Sequence, residues 1–171
     1  MNNRKSTLTV RLLAMCLMLL CVACNTDVHK IAGDYSYKQS GLVTFTDEEG
    51  QATSILANKQ GQMNILEDKK GGKGAIIVTF NEMNGGAYTC NGTIKGDSIF
   101  FAPHEFSTRF SSADSVQELA QLGKVYTVQG TGRGVFRNEM IIMEESWIGH
   151  PEDGSLVRMF ANKITLLAEE N

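Results

Sequence analysis

The sequence predicts an all-β protein, an antiparallel up-and-down β-barrel of about 8–10 strands with one short helix. Three observations lead there. Short β-rich runs recur at near-regular spacing, turns rich in glycine and charge separate them, and no long helical pattern lies between them. The last point excludes a parallel α/β sheet, which needs crossover helices. Connections this short join antiparallel neighbours in sequence order. A sandwich also satisfies the strand count. The barrel is preferred because closure removes edge strands, and hairpins suit an up-and-down order better than Greek-key crossings.

Taken in order, residues 1–23 differ from the rest. They carry Arg4, Lys5 and Arg11, no acid, and an unbroken apolar run of 12 residues from Leu12 to Ala23. As a helix that run is roughly 18 Å long at ~1.5 Å per residue, short of a ~30 Å hydrocarbon core. A cleaved secretory signal is therefore the expectation rather than a permanent span. Beyond it lie 148 residues, in which 13 basic side chains face 19 acidic ones, a net −6. That balance argues against a nucleic-acid partner, which needs a basic footprint. Cys16 and Cys21 fall in the leader, so only Cys24 and Cys90 follow and no disulfide framework is available.

The expected organisation is a signal at 1–23, a lipidated N-terminus and tether at 24–31 as the resemblance of Leu20–Cys24 to the bacterial lipobox implies, and a barrel domain at 32–171. Candidate strands are Asp34–Phe45, Ala52–Asn58, Gln62–Glu67, Ala75–Met83 and Ala87–Lys95. Ser98–Ala102, Glu105–Phe110, Lys124–Phe136, Glu139–Ile148 and Ser155–Leu167 follow. Ser115-Val116-Gln117-Glu118-Leu119 breaks the pattern with a capping box and a one-sided apolar face, which Gly123 stops. A helix that short folds only by packing on the sheet or across its end.

Leu20-Cys21-Val22-Ala23-Cys24 resembles the lipobox of bacterial lipoproteins. The resemblance implies cleavage before Cys24, acylation of its thiol with palmitate among the chains, and, with Asn25 next, delivery to the outer membrane. Gly33-Asp34-Tyr35 resembles the Gly-x-Trp motif that opens lipocalins and other calycins, in which an Arg or Lys of the last strand packs across the aromatic. Arg158 is the matching candidate. With the glycine-rich stretches Asn91–Asp97 and Gly130–Gly134, the chain is similar to the lipocalin-like (calycin-like) lipoproteins of Bacteroidetes. That family implies the fold more firmly than any activity.

Catalytic and metal chemistry find little support in the sequence. Gly130, Gly132 and Gly134 lack both the third glycine position and the following helix of a dinucleotide loop. On one face of a strand they allow a kink or room for an aromatic from a neighbouring strand, or else a notch for a flat ligand. His29, His104 and His150 show no helical metal spacing, and no Gly-x-Ser-x-Gly elbow occurs. Cys90 reads as a small buried hydrophobe. Glu144 and Glu145 point to opposite faces, so they cannot share a site. The expectation is therefore no enzyme, no metal and no cofactor.

Two strands are apolar on both faces, and in the last, Ser155–Leu167, Leu156, Phe160, Ile164 and Leu166 oppose Val157, Met159 and Leu167. Glu139–Ile148 carries Ile141, Met143, Glu145 and Trp147 on one side, with Met140, Ile142, Glu144 and Ile148 on the other. Either the outer face meets another surface, or the core is thick. Tyr35, Tyr37, Met143 and Trp147 are then core packing or the walls of an apolar pocket, with Arg158 orienting a ligand. The leading expectation is capture of a small apolar or amphipathic molecule without catalysis. The alternative is a filled barrel that binds protein or glycan through its outer face or loops.

Overall fold

The computed structural model describes residues 28–83, 86–111 and 122–171. The leader, Cys24, the expected helix at 115–119 and part of the turn at 84–86 lie outside the described residues.

Eight antiparallel strands close into one barrel in sequence order. They are β1 (Gly33–Thr46), β2 (Ala52–Glu67), β3 (Ala75–Glu82), β4 (Ala87–Lys95), β5 (Ser98–Arg109), β6 (Val125–Arg137), β7 (Met140–Pro151) and β8 (Arg158–Glu170). Ten expected runs become eight because two pairs fuse. The runs at 52–58 and 62–67 join through Gly61, and those at 98–102 and 105–110 join across Pro103. The register of β5 on β6 shifts between Phe101 and His104, which places the proline, unable to donate to a ladder, at an irregularity.

Turn chemistry matches the breaks read from the sequence. Gly50, Gly72, Gly96 and Gly154 all have positive φ at hairpin turns. Asn138 and Glu139 take positive φ together, the signature of a tight β6–β7 hairpin.

A helix α1 (Val28–Ile31) precedes β1. Val28 and Ile31 are buried, and the Tyr35 hydroxyl donates to the Ile31 carbonyl at 2.8 Å. The end of the expected tether therefore belongs to the core, because its two apolar residues complete the base of the barrel. Burial raises the Tyr35 hydroxyl to about 12, so it stays a neutral donor.

Burial alternates along β4 and β7, as it must when one face packs and the other meets water, and breaks step in β5 and β8 where the register shifts. The double-sided character of the last strand has a specific cause. Glu145 pairs with Ile164 but Trp147 pairs with Ala161, so β8 carries an extra residue there. Met159 and Ala161 point inward before that bulge, and Ile164, Leu166 and Ala168 after it.

The far end is closed by aromatic rings. Phe45 of β1 lies 5.6 Å from Phe110, which follows β5, and 5.3 Å from Tyr126 of β6. Strands β1 and β5 stand opposite each other in an eight-stranded ring, so these contacts cross the barrel axis. A second run of rings links Tyr37, Phe80, Tyr88, Phe106 and Trp147 at centroid distances of 4.4–5.8 Å. Both runs place packed aromatic side chains inside the barrel.

Candidate functional site

Between the apolar base and the aromatic far end lies a waist of different composition. Register places Tyr37, Gly61 and Glu82 side by side, Gln39 beside Lys59, and His104 beside Gly130 and Trp147. Gly132 sits beside Glu145. The glycines make room for polar side chains. A Cβ on Gly132 would lie 2.6 Å from Glu145 Cγ, and one on Gly130 would lie 2.9 Å from His104 Nε2. The Gly130–Gly134 row therefore makes room inside the barrel for His104, Glu145 and Met143, with the Phe106 ring beside Gly130, rather than chiefly for an aromatic.

Glu145 is the most costly group of the waist. Only 2 % exposed, it accepts a 2.8 Å hydrogen bond from the Trp147 indole on Oε2, while Oε1 has no hydrogen-bond partner. Desolvation drives its pKa upward, against the opposing pull of the Trp147 N–H and of nearby His104. His104 Nδ1 lies 3.1 Å from the Ala102 carbonyl, which can only accept, so Nδ1 is the donor of that contact. That leaves Nε2 without a partner. The same holds for the Tyr37 hydroxyl, both amide atoms of Gln39 and Glu82 Oε1. Each unmet buried polar group costs about 1–3 kcal/mol, so the belt is an expense that packing alone does not require.

One ion pair belongs to this level. Lys59 Nζ meets Glu82 Oε2 at 2.7 Å, with side chains 9 % and 4 % exposed. The same ammonium donates to the Thr108 hydroxyl and, at 3.3 Å, to the Arg109 carbonyl. It also stands 5.3 Å from the centre of the Phe110 ring. The location explains the effort. β3 pairs with β2 only over Gly61–Glu67, and β4 pairs with β5 only through residues 92–95, so no ladder joins β2 to β5 on the far side. Lys59 staples that seam.

Two clefts open on the outer wall. The larger, of about 650 Å³, is lined by exposed residues of three neighbouring strands, among them Lys38, Ser40, Asn58, Gln60 and Leu167. Gln39, Lys59, Glu82, Arg109 and Ser111 complete its described lining together with Thr165. A shallower one of about 400 Å³ lies over Arg133, Glu144, Asn162 and Lys163, with a 2.5 Å Glu144–Lys163 ion pair at its rim.

The residues singled out in the sequence separate into groups. Tyr35, Tyr37, Met143 and Trp147 all point inward and are at most 3 % exposed. They touch other side chains, and the rings among them do not border either cleft. Arg158 corrects the expectation drawn from the calycin resemblance. It pairs with Thr46 at the far end, whereas Tyr35 pairs with Glu170 at the base. It is also exposed, since β8 has outward parity at that position. It cannot pack across Tyr35. His150 faces outward while His104 faces inward, so the two histidines do not converge. Cys90 is buried, and desolvation with the nearby Glu145 raises its thiol to about 12, far from nucleophilic. Among the described residues, no group of three or more His, Cys, Asp or Glu side chains could hold a metal ion.

Sequence reasoning missed the waist. Gln39, Lys59, Glu82 and His104 sit at inward parity in strands whose other inward residues are mostly apolar. That parity was the available signal, hidden by the Gly61 fusion and the register shift after Phe101.

No protein-family model and no curated protein matches the chain. A solved structure of a protein of unknown function from the DUF3598 family of Nostoc punctiforme is similar at 10 % identity and a TM-score of 0.34. The match covers 84 % of this chain and 49 % of that one, so the chain spans about half the length of that relative.

Proposed function

We propose that the protein is a cell-envelope lipoprotein whose filled barrel binds its partner through the outer wall and performs no chemistry. The observation that carries this reading is the contrast between the two sides of the wall. Rings from β1 meet Phe110 and Tyr126 across the axis, while a cleft of about 650 Å³ and a band of exposed apolar residues lie outside. In that band Leu42 pairs with Leu56 and Ile148 with Phe160. Exposed apolar area of this kind marks contact surfaces more often than free ones. The anchor is the acyl group on Cys24, supported by the basic, apolar leader and the cysteine that ends it. In sequence it precedes α1 by four residues.

A second reading, a small amphipathic ligand held inside the barrel, is favoured by the unmet polar atoms of Tyr37, Gln39, His104 and Glu145. Native mass spectrometry of residues 25–171, purified from the protein's own envelope, separates the two. The outer-wall reading predicts the mass of the polypeptide alone, and a stoichiometric small molecule travelling with it would favour the interior. For the anchor, Cys24→Ser should abolish palmitate labelling and leave uncleaved or soluble protein. Labelling that persists would remove the lipoprotein assignment.

A further inference from the structure

We infer that the larger outer cleft is a saccharide site selective for sugars that carry a carboxylate, an inference that rests on the outer-wall reading above. The lining supplies each kind of contact such a ligand needs. Asn58 and Gln60 of β2 and Ser40 and Thr165 of the flanking strands offer amides and hydroxyls, which both donate and accept toward vicinal diols. Leu167, 46 % exposed, gives an apolar patch for the C–H face of a ring.

Charge selects the acid. Lys38, Lys59 and Arg109 line the cleft against Glu82 alone, a local excess of positive charge on a chain of net −3. Lys59 is committed to Glu82, whereas Lys38 and Arg109 have no ion pair among the described residues. A guanidinium and an ammonium in one cleft are suited to a carboxylate, with charge-assisted hydrogen bonds roughly twice as strong as neutral ones. The volume lies within the ~300–1,000 Å³ range of small-ligand sites.

The test is calorimetric titration of residues 25–171, which contain every described element, with trigalacturonate and with neutral galactotriose. The acidic trimer should bind measurably and the neutral one at least about tenfold more weakly, in line with one or two charge-assisted contacts. Lys38→Ala with Arg109→Ala should reduce the difference to near unity. Asn58→Trp, an outward substitution that fills the cleft, should abolish binding of both. Equal affinity for the two trimers, lost in Asn58→Trp, would overturn selectivity for the acid while leaving the outer-wall reading standing. Binding that survives Asn58→Trp, or no binding of either trimer to the wild-type chain, would overturn the saccharide site. A small molecule that travels with both the wild-type chain and Asn58→Trp in native mass spectrometry would instead strike the outer-wall reading itself.

Discussion

Glu144 and Glu145 are neighbours in β7, and their environments differ as much as any two in the molecule. Glu144 faces water, pairs with Lys163, and has its pKa lowered by that hydrogen bond and charge. Glu145 faces the core, meets an indole N–H, and has its pKa raised by the loss of water. The inner wall holds expensive polar groups in a tightly packed setting, and the outer wall holds inexpensive ones in a cleft. The difference teaches where selection for shape and where selection for recognition act. Inside, side chains are fixed by neighbours on several strands, whereas outside they are placed by the same backbone but remain free to engage a ligand.

Substitutions should separate these walls by size of effect. Trp147→Ala removes the largest buried side chain and strands Glu145 Oε2, so chemical denaturation should show a loss of about 3–5 kcal/mol. A loss under about 1 kcal/mol would mean that the waist is loosely packed. Lys59→Met leaves Glu82 buried and unpaired at the seam, with an expected loss of about 3 kcal/mol. Adding Glu82→Leu should recover most of it, and failure to do so would show that Lys59 acts mainly through Thr108 and the Phe110 ring.

Glu145→Gln should have a smaller effect with a distinctive pH dependence. Because the folded-state pKa of Glu145 is raised, its contribution to stability is full below the ordinary glutamate range and is lost as pH rises through the folded value. The substitution should flatten that decline and raise stability at neutral pH by on the order of 1 kcal/mol. Glu144 and Asp153, both lowered, act in the other direction and lose their contribution as pH falls. Ile148→Ser, one residue from Trp147 but 71 % exposed, should change stability by no more than about 0.5 kcal/mol. A large loss there would show that the outer band is packed against something in the isolated protein.

Much of the architecture was legible because turn glycines and two-residue periodicity act locally. The β7 faces were read directly, with Ile141, Met143, Glu145 and Trp147 buried and Ile148 exposed. The β8 faces were not, since a single extra residue opposite β7 reverses parity and leaves no mark in composition. Arg158 was misplaced for a related reason. An antiparallel last strand puts its first residues, and not its last, far from the start of β1. The waist and the outer cleft were invisible because both depend on which strands meet in space. Lys59, Glu82 and Thr108 are distant in sequence and converge only at the seam.

Trp147 is the single tryptophan of the chain, and its buried position in the waist makes it the most direct reporter on whether the interior is filled. Its fluorescence should be followed while residues 25–171 are titrated with a twelve-carbon fatty acid. A filled barrel predicts blue-shifted emission that resists acrylamide quenching and stays constant throughout the titration. A saturable shift in emission or quenching as the fatty acid is added would show a hollow, ligand-accepting interior and contradict the account.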